Sequence, residues 1–364
     1  MNKVRRNIYI LFALLLFAAA LQGEGISLVH ANITIGKLEA GQKITIFKGN
    51  VHFRQDTLEM YCDSAVYYEK EEYADFDGNV IVLDGLRTLR ADKIKYYPSE
   101  KTAYCYDHVR IVSDVDSMYA ESLVYNFNTR DANAAVNFFA RDEKENVEIS
   151  AEKGEYIDLY RRFTVLNNSV LTRVDTTTSD TLWIYAQKIE YFATDSAKAI
   201  ASDSVSIIQK ELNTTSDTAV YFIDKQIIWL KHKPIATYDK NKLSGKIIKV
   251  ELDSLEIRKI FSFEDANALE TVDSLAGKYN ELKAKTIELQ IFDNEPQQMI
   301  ASGNAVSQYY LRNDEGGQGM NIASADTLLL FFTDGEMDSL MIVGGSEGVY
   351  YPENYHGEKK IEKR

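Results

Sequence analysis

The sequence predicts an all-β fold, an elongated stack of about nine to ten rungs of short strands. Three observations predict it. A short phrase returns nine times at a spacing near thirty residues. The residues around it alternate apolar and polar with period two. Past the N-terminus, no stretch sustains the 3.6-residue periodicity of a helix. With 23 Tyr and 16 Phe beside abundant Val, Ile and Thr, the composition also leans toward strands.

At the N-terminus, Lys3, Arg5 and Arg6 precede an apolar run at 8–20. A positive start followed by a stretch too short to span a bilayer comfortably is the pattern of a secretory signal peptide. Small residues allow cleavage after Ala20 or after Ala31, and the leader is assigned to 1–31; an uncleaved anchor is the alternative. Two cysteines, Cys62 and Cys105, are too few for the disulfide framework of a small exported protein. Both are expected as free, buried thiols.

The recurring phrase is a small residue, a polar one, two variable positions, then an apolar or aromatic pair. It stands as Cys62-Asp63-Ser64-Ala65-Val66-Tyr67-Tyr68, Ala91-Asp92-Lys93-Ile94-Lys95-Tyr96-Tyr97 and Ala120-Glu121-Ser122-Leu123-Val124-Tyr125. Copies continue from Ala151, Ala186, Ser216, Gly245, Ala284 and Ala325, the last two after longer spacings of 39 and 41 that imply insertions. A fixed period of this length marks a quasi-one-dimensional fold in which each unit touches mainly its neighbours.

Between copies lies a second phrase: Gly49-Asn50-Val51-His52-Phe53, Gly78-Asn79-Val80-Ile81-Val82, Asp107-His108-Val109-Arg110-Ile111, and later Asp203-Ser204-Val205 and Gly303-Asn304-Ala305. Its first two residues tolerate tight backbone angles and read as a turn that opens a half-buried strand. The inward set is then Val51, Phe53, Val80, Val82, Val109 and Ile111. Two positions before each small residue lies another apolar one: Met60, Leu89, Met118, Ile149 and Ile184. Beyond the small residue the parity shifts by one, to Ile94, which predicts a corner or bulge there. Ile44 and Ile46 are assigned to the first strand. By periodicity alone, this stripe is the packed core of a solenoid.

The repeat domain is expected to run over 32–351, with 352–364 a polar tail. A formal charge of −14 argues against nucleic acid as a partner. Catalytic motifs are missing: no HxxxH, CxxC, GxSxG or phosphate-binding loop, so neither a metal nor a cofactor is expected. Gly316-Gly317-Gln318-Gly319 reads as a flexible loop. Acids such as Asp114 and Asp116 read as solvated turn residues. His52 is expected to point outward and His108 to occupy a turn, neither with a base or nucleophile beside it. A carbohydrate-active β-helix enzyme would need Asp, Arg or His clustered across neighbouring rungs, and the variable polar positions do not build that cluster.

The phrases Gly49-Asn50-Val51, Gly78-Asn79-Val80 and Ala91-Asp92-Lys93-Ile94 resemble the OstA-like family, which includes the LptA-type periplasmic proteins of lipopolysaccharide transport and the N-terminal domain of LptD. The resemblance is best over 46–222 and weaker over 223–351. It implies a taco-like β-jelly-roll with an apolar groove, in a periplasmic, non-enzymatic carrier or bridge that shields the acyl chains of lipid A. The groove residues would be Val51, Phe53, Met60, Val80, Val82, Leu89, Ile94, Val109, Ile111, Met118, Ile149 and Ile184. It also implies LptC-like and LptD-like partners joined end to end by strand pairing, and self-association through the same edges. A structural or scaffolding β-solenoid with a dry core, serving outer-membrane assembly, is the alternative reading.

Overall fold

Two successive residues in the left-handed region turn a β-strand sharply without ending it, and this chain uses that device throughout. Gly49 and Asn50 have φ of 77° and 50°, Gly78 and Asn79 80° and 47°, and Asp107 and His108 61° and 53°. Each pair lies inside a strand. The Gly-Asn step is therefore a corner within one long strand, where the sequence suggested a turn that opens a strand. The ladder records it as a bulge. Gly49-Asn50 stand against the single Asp63 on the neighbouring strand, and Gly78-Asn79 against the single Asp92. Two residues against one reverses the inward parity, which is the shift expected after the small residue.

The computed structural model describes residues 25–39, 41–273, 278–312, 318–352 and 355. Most of the expected leader, Gly316-Gly317 and most of the tail lie outside the described residues. The chain divides into two compact units, one formed by the described residues to Lys144 with Glu148–Asn167, the other by Glu145–Val147 with the described residues from Asn168 onward. Among the described residues no helix is long and apolar enough to cross a membrane.

In the first unit the strands are β1 Ser27–His30, β2 Ile33–Glu39, β3 Gln42–Gln55, β4 Leu58–Tyr68, β5 Tyr73–Asp84, β6 Arg87–Tyr97, β7 Thr102–Val112, β8 Asp116–Asn126, β9 Ala132–Val136, β10 Phe138–Asp142, β11 Val147–Ala151 and β12 Lys153–Ile157. After one 3-10 turn, Asp158–Tyr160, comes β13, Arg162–Val174, whose residues to Asn167 belong to this unit and whose remainder, like Val147 of β11, belongs to the second. The pairings are antiparallel, and β3 to β9 pair in sequence while β10 and β12 return to β8 and β9, so the unit is largely a meander folded over along its corners. One leaf holds segments such as 51–55, 58–62, 80–84 and 87–91; the other holds 42–48, 64–68, 73–77 and 93–97. The corners join the leaves along one side. Opposite them, two rows of hairpin turns face each other as rims. This is the taco-like jelly roll implied by the resemblance. The first strand is not the one containing Ile44 and Ile46: β1 and β2 precede β3 and pair with its two arms.

In the second unit the same corner recurs at Asp203-Ser204, Glu264-Asp265 and Gly303-Asn304. Its last strands are longer, with Glu256–Asp273 and Glu295–Arg312 at 18 residues each against 11 or 12 for β4 to β8. The spacings of 39 and 41 arise chiefly from this lengthening. Its core is built from residues such as Ile207, Leu230, Val250, Ile260, Leu289 and Leu328, all buried.

Candidate functional site

The two phrases meet at the corners. Asn79 Nδ2 donates to Asp63 Oδ2 at 2.8 Å, Asn137 Nδ2 to Glu121 Oε1 at 2.5 Å, and Asn167 Nδ2 to Glu152 Oε2 at 3.2 Å. His108 Nδ1 lies 2.8 Å from Asp92 Oδ2. The polar second residue of the small-polar phrase thus holds the left-handed residue of the next corner, and the acid raises the pKa of His108. His52 does point outward, but it too has a partner. It stacks on Tyr61 at 4.3 Å and its Nε2 lies 2.5 Å from Glu59 Oε2. Hydrogen bonds from His52 and Arg54 hold the Glu59 carboxyl below its ordinary range. These are structural contacts on the outer face.

Inside the fold, every one of the twelve expected groove residues is at most 3 % exposed. Cross-strand pairing aligns Phe53 with Met60, Met60 with Val82, Val82 with Leu89, Leu89 with Ile111, and Ile111 with Met118. They form one unbroken apolar row across six strand arms, β3 to β8, with Val51, Val80 and Val109 beside them. Ile94 faces them from the opposite leaf, paired with Phe76 and Cys105. Ile149 lies on β11, and Ile184 belongs to the second unit, where it pairs with Ile207.

The space between the leaves is filled by side chains that the sequence reading did not single out as a group. Phe47 packs edge-on against Phe53 at 5.0 Å, Phe53 on Phe76 at 5.6 Å, and Tyr96 and Tyr125 both on Phe127. The Tyr at the sixth position of the small-polar phrase, from the Ala91 copy onward, supplies one fully buried ring after another: Tyr96, Tyr125, Tyr156, Tyr191 and Tyr221. That repetition was the available signal. Cys62 and Cys105 are free and buried, as expected, and burial pushes the Cys62 thiol up to about 12 and that of Cys105 higher still. In the second unit, a hollow of about 30 Å³ between Ala268, Leu282, Met299 and Leu330 has room for roughly one water.

At the rims of the first unit the hydroxyl ends of these tyrosines meet charged and amide groups. Tyr96 donates to Gln55 Oε1, and Gln55 Nε2 donates to Pro98 O at 3.0 Å across the mouth. Arg87 Nη2 donates to Asp158 Oδ1 at 2.5 Å, and Tyr156 donates to the same oxygen at 3.0 Å. Arg130 Nε reaches Asp84 Oδ2 at 3.1 Å, Arg161 Nη2 reaches Asp116 Oδ2 at 3.2 Å, and Lys101 Nζ reaches Asp56 Oδ2 at 2.7 Å. Asp84, Arg87, Asp116, Arg130, Tyr156 and Arg161 line a cleft of about 530 Å³. Asp116 is buried, against the expectation of a solvated turn acid. Its burial outweighs the attraction of Arg161 and raises its pKa. Burial opposes the charge of Arg87, but the bonds to Tyr125 and Asp158 more than offset it.

This arrangement offers an apolar interior bounded by paired charges, with no nucleophile beside a base. Among the described residues, no three His, Cys, Asp or Glu side chains group as a metal site. Among the same residues, no backbone–backbone hydrogen bond joins the two rims of the first unit; every link across the mouth uses at least one side chain.

Residues 24–180 match the model of a family described as OstA-like protein. No curated protein matches the chain. Among solved structures, it is similar to LptH, the LptA homologous periplasmic component of the conserved lipopolysaccharide transport device from Pseudomonas aeruginosa. Identity is 14 %, over 48 % of this chain and 82 % of that one, with a TM-score of 0.20, too low to carry an argument.

Proposed function

We propose, from the match of residues 24–180 to the OstA-like family, that the chain is a periplasmic, non-enzymatic carrier or bridge that shields the acyl chains of lipopolysaccharide on their way to the outer membrane. The observation that carries this reading is the mouth of the first unit. An unbroken apolar row, Phe53 to Met118, lies behind two rims with no backbone–backbone hydrogen bond between them among the described residues. Such a fold can part at the mouth without breaking a backbone ladder. An acyl chain entering there exchanges water for methylene contacts at about 0.8 kcal/mol per CH₂. The groove residues proposed are those of the apolar stripe, Val51 to Ile149 in the first unit, with Ile184 in the second.

The partners proposed are lipopolysaccharide and other taco-shaped transport proteins, LptC-like or LptD-like, added end to end. All seven residues of β2 are exposed, Leu38 at 76 %, and β2 pairs with β3 alone among the described residues. An exposed edge of that kind is suited to strand addition.

A photocrosslinking residue at Leu89, introduced in cells, is expected to give lipopolysaccharide adducts, while one at the outward-facing Arg90 gives none. Equal labelling from both, or none from Leu89, overturns the carrier. One observation favours the second reading, a scaffold with a dry core: the interior of the first unit is filled by its own side chains.

A further inference from the structure

We infer that the three acid–cation pairs across the mouth of the first unit are a repeat-encoded clasp, and that its opening gates entry to the apolar interior. The inference rests on the carrier reading for what enters, but the clasp itself stands on geometry. Asp56 pairs with Lys101, Asp84 with Arg130 and Asp116 with Arg161, at sequence separations of 45, 46 and 45. The repeat itself advances by about 29 residues. Each acid therefore sits on one rim, and its cation comes about one and a half repeats later on the other. A surface that merely collected charges would not hold one offset over three successive rungs.

A fourth pair, Arg87 with Asp158, runs in the opposite sense, cation first, at a separation of 71. Arg87 also touches the Tyr125 hydroxyl and lies 5.7 Å from the centre of the Tyr156 ring. This fourth pair, beside the clasp, ties the mouth to the same tyrosines whose rings fill the interior. Parting the rims withdraws those rings and uncovers the apolar row together. At the corner side, by contrast, the leaves are held by continuous backbone, so the mouth is the side that can open. In each pair the cation stays partly open to solvent, Lys101, Arg130 and Arg161 at 31 to 45 %, so a run of them closes the mouth while remaining reversible.

Cys105 reports the opening. It faces the interior from the second leaf, is 1 % exposed, and is paired with Ile94 and Leu123. Cys62→Ala gives it the alanine that the repeat carries at Ala91 and Ala120, and leaves Cys105 as the single thiol. In that background, Arg130→Gln with Asp84→Asn, and Arg161→Gln with Asp116→Asn, remove two pairs without stranding a charge. Labelling of Cys105 by a thiol reagent under native conditions is expected to accelerate about ten-fold, with the urea unfolding midpoint little changed. Arg141→Gln breaks an outer-face ion pair with Glu148 and is expected to leave the rate as it was. An unchanged rate in the clasp variants, or an equal rise in Arg141→Gln, overturns the clasp. Binding of a fluorescent fatty acid is measured on the same proteins. Faster labelling with no fatty acid bound by any of them keeps the clasp and removes the carrier. Fatty acid bound with labelling unchanged does the reverse.

Discussion

Asn79 donates its side-chain amide to Asp63 at 2.8 Å, across the corner where β5 bends beside β4. The same corner brings Gly78 so close that a Cβ on it would lie 2.5 Å from Asp63 Oδ2. A glycine, an asparagine and an aspartate from two different sequence phrases are one structural device. Gly78→Ala is therefore expected to be destabilising by about 1–3 kcal/mol, from the left-handed φ and the collision together. Gly85 also has positive φ, but nothing lies within 4 Å of its Cβ position. Gly85→Ala is expected to cost about 1 kcal/mol or less. Urea unfolding of both variants checks the difference, and equal losses would show that the Asp63 contact contributes nothing.

The His108–Asp92 corner gives a pH dependence. A hydrogen bond from Asp92 and then its charge raise the His108 pKa. A raised histidine pKa means that the pair's contribution is fully present below the unfolded value near 6.5 and is lost as pH rises through the folded one. His108 is exposed, so the effect belongs in a titration curve and is not expected to move the melting temperature. An NMR titration is expected to place His108 above the ordinary histidine range, and Asp92→Asn to bring it back. A titration unmoved by that substitution rejects the pairing.

The repeats made the strands, the inward row and the parity shift legible, because period-two alternation depends only on neighbours along the chain. Val51, Val80 and Val109 needed nothing else. The corner was misplaced because Gly-Asn serves hairpin turns and bulges equally; only the partner strand, with its single Asp63 or Asp92, tells them apart. The rims were invisible for a related reason. Gln55 and Asp84 follow the inward Phe53 and Val82 at the same parity, so their inward position was readable. Their partners Pro98 and Arg130 lie more than 40 residues away, on a leaf whose position depends on the fold. Asp116 was read as solvated because sequence cannot show that Arg161 covers it.

The N-terminal segment bears on processing. β1 pairs Ser27 with Arg54 and Leu28 with Phe53, Ser27 Oγ donates to Arg54 O at 3.1 Å, and Ile26 is 5 % exposed. Cleavage after Ala31 would strip this strand from β3 and leave that arm of β3 without its partner. Cleavage after Ala20 keeps it. The mature protein is expected to start at Leu21, which intact-mass measurement on the protein purified from cells decides. A start at Asn32 would mean that β1 has no place in the mature fold.

End-to-end assembly, if it runs through β2, depends on a free edge. Proline at Ile44 or Ile46 would not test this, because both residues are paired on two sides, with β2 and β4, and such a change would damage the fold itself. Ile33 and Ile35 are exposed on β2. Lysine at both is expected to abolish self-association in light scattering while leaving the circular dichroism spectrum intact, since edge lysines discourage strand addition. Unaltered assembly would place the contact elsewhere.

The decisive substitution lies in the interior row. Leu89 is buried between Val82 and Ile111, and a charge there would have no partner, so Leu89→Asp would destroy the fold under either reading. Leu89→Ala separates them. It removes buried methylenes and leaves a void, which is expected to cost about 2–5 kcal/mol in a carrier or a scaffold alike. The readings part when lipopolysaccharide is added. A ligand that occupies the interior binds the folded state alone and stabilises it, by about 2.7 kcal/mol at a hundred times its dissociation constant. A carrier is therefore expected to show a rising unfolding midpoint with added lipopolysaccharide in both the parent and Leu89→Ala. The void beside Val82 and Ile111 gives the variant more room for an acyl chain, so its rise should be at least as large. A dry scaffold gains nothing from the lipid, and two midpoints that stay fixed while lipopolysaccharide increases would leave the scaffold standing.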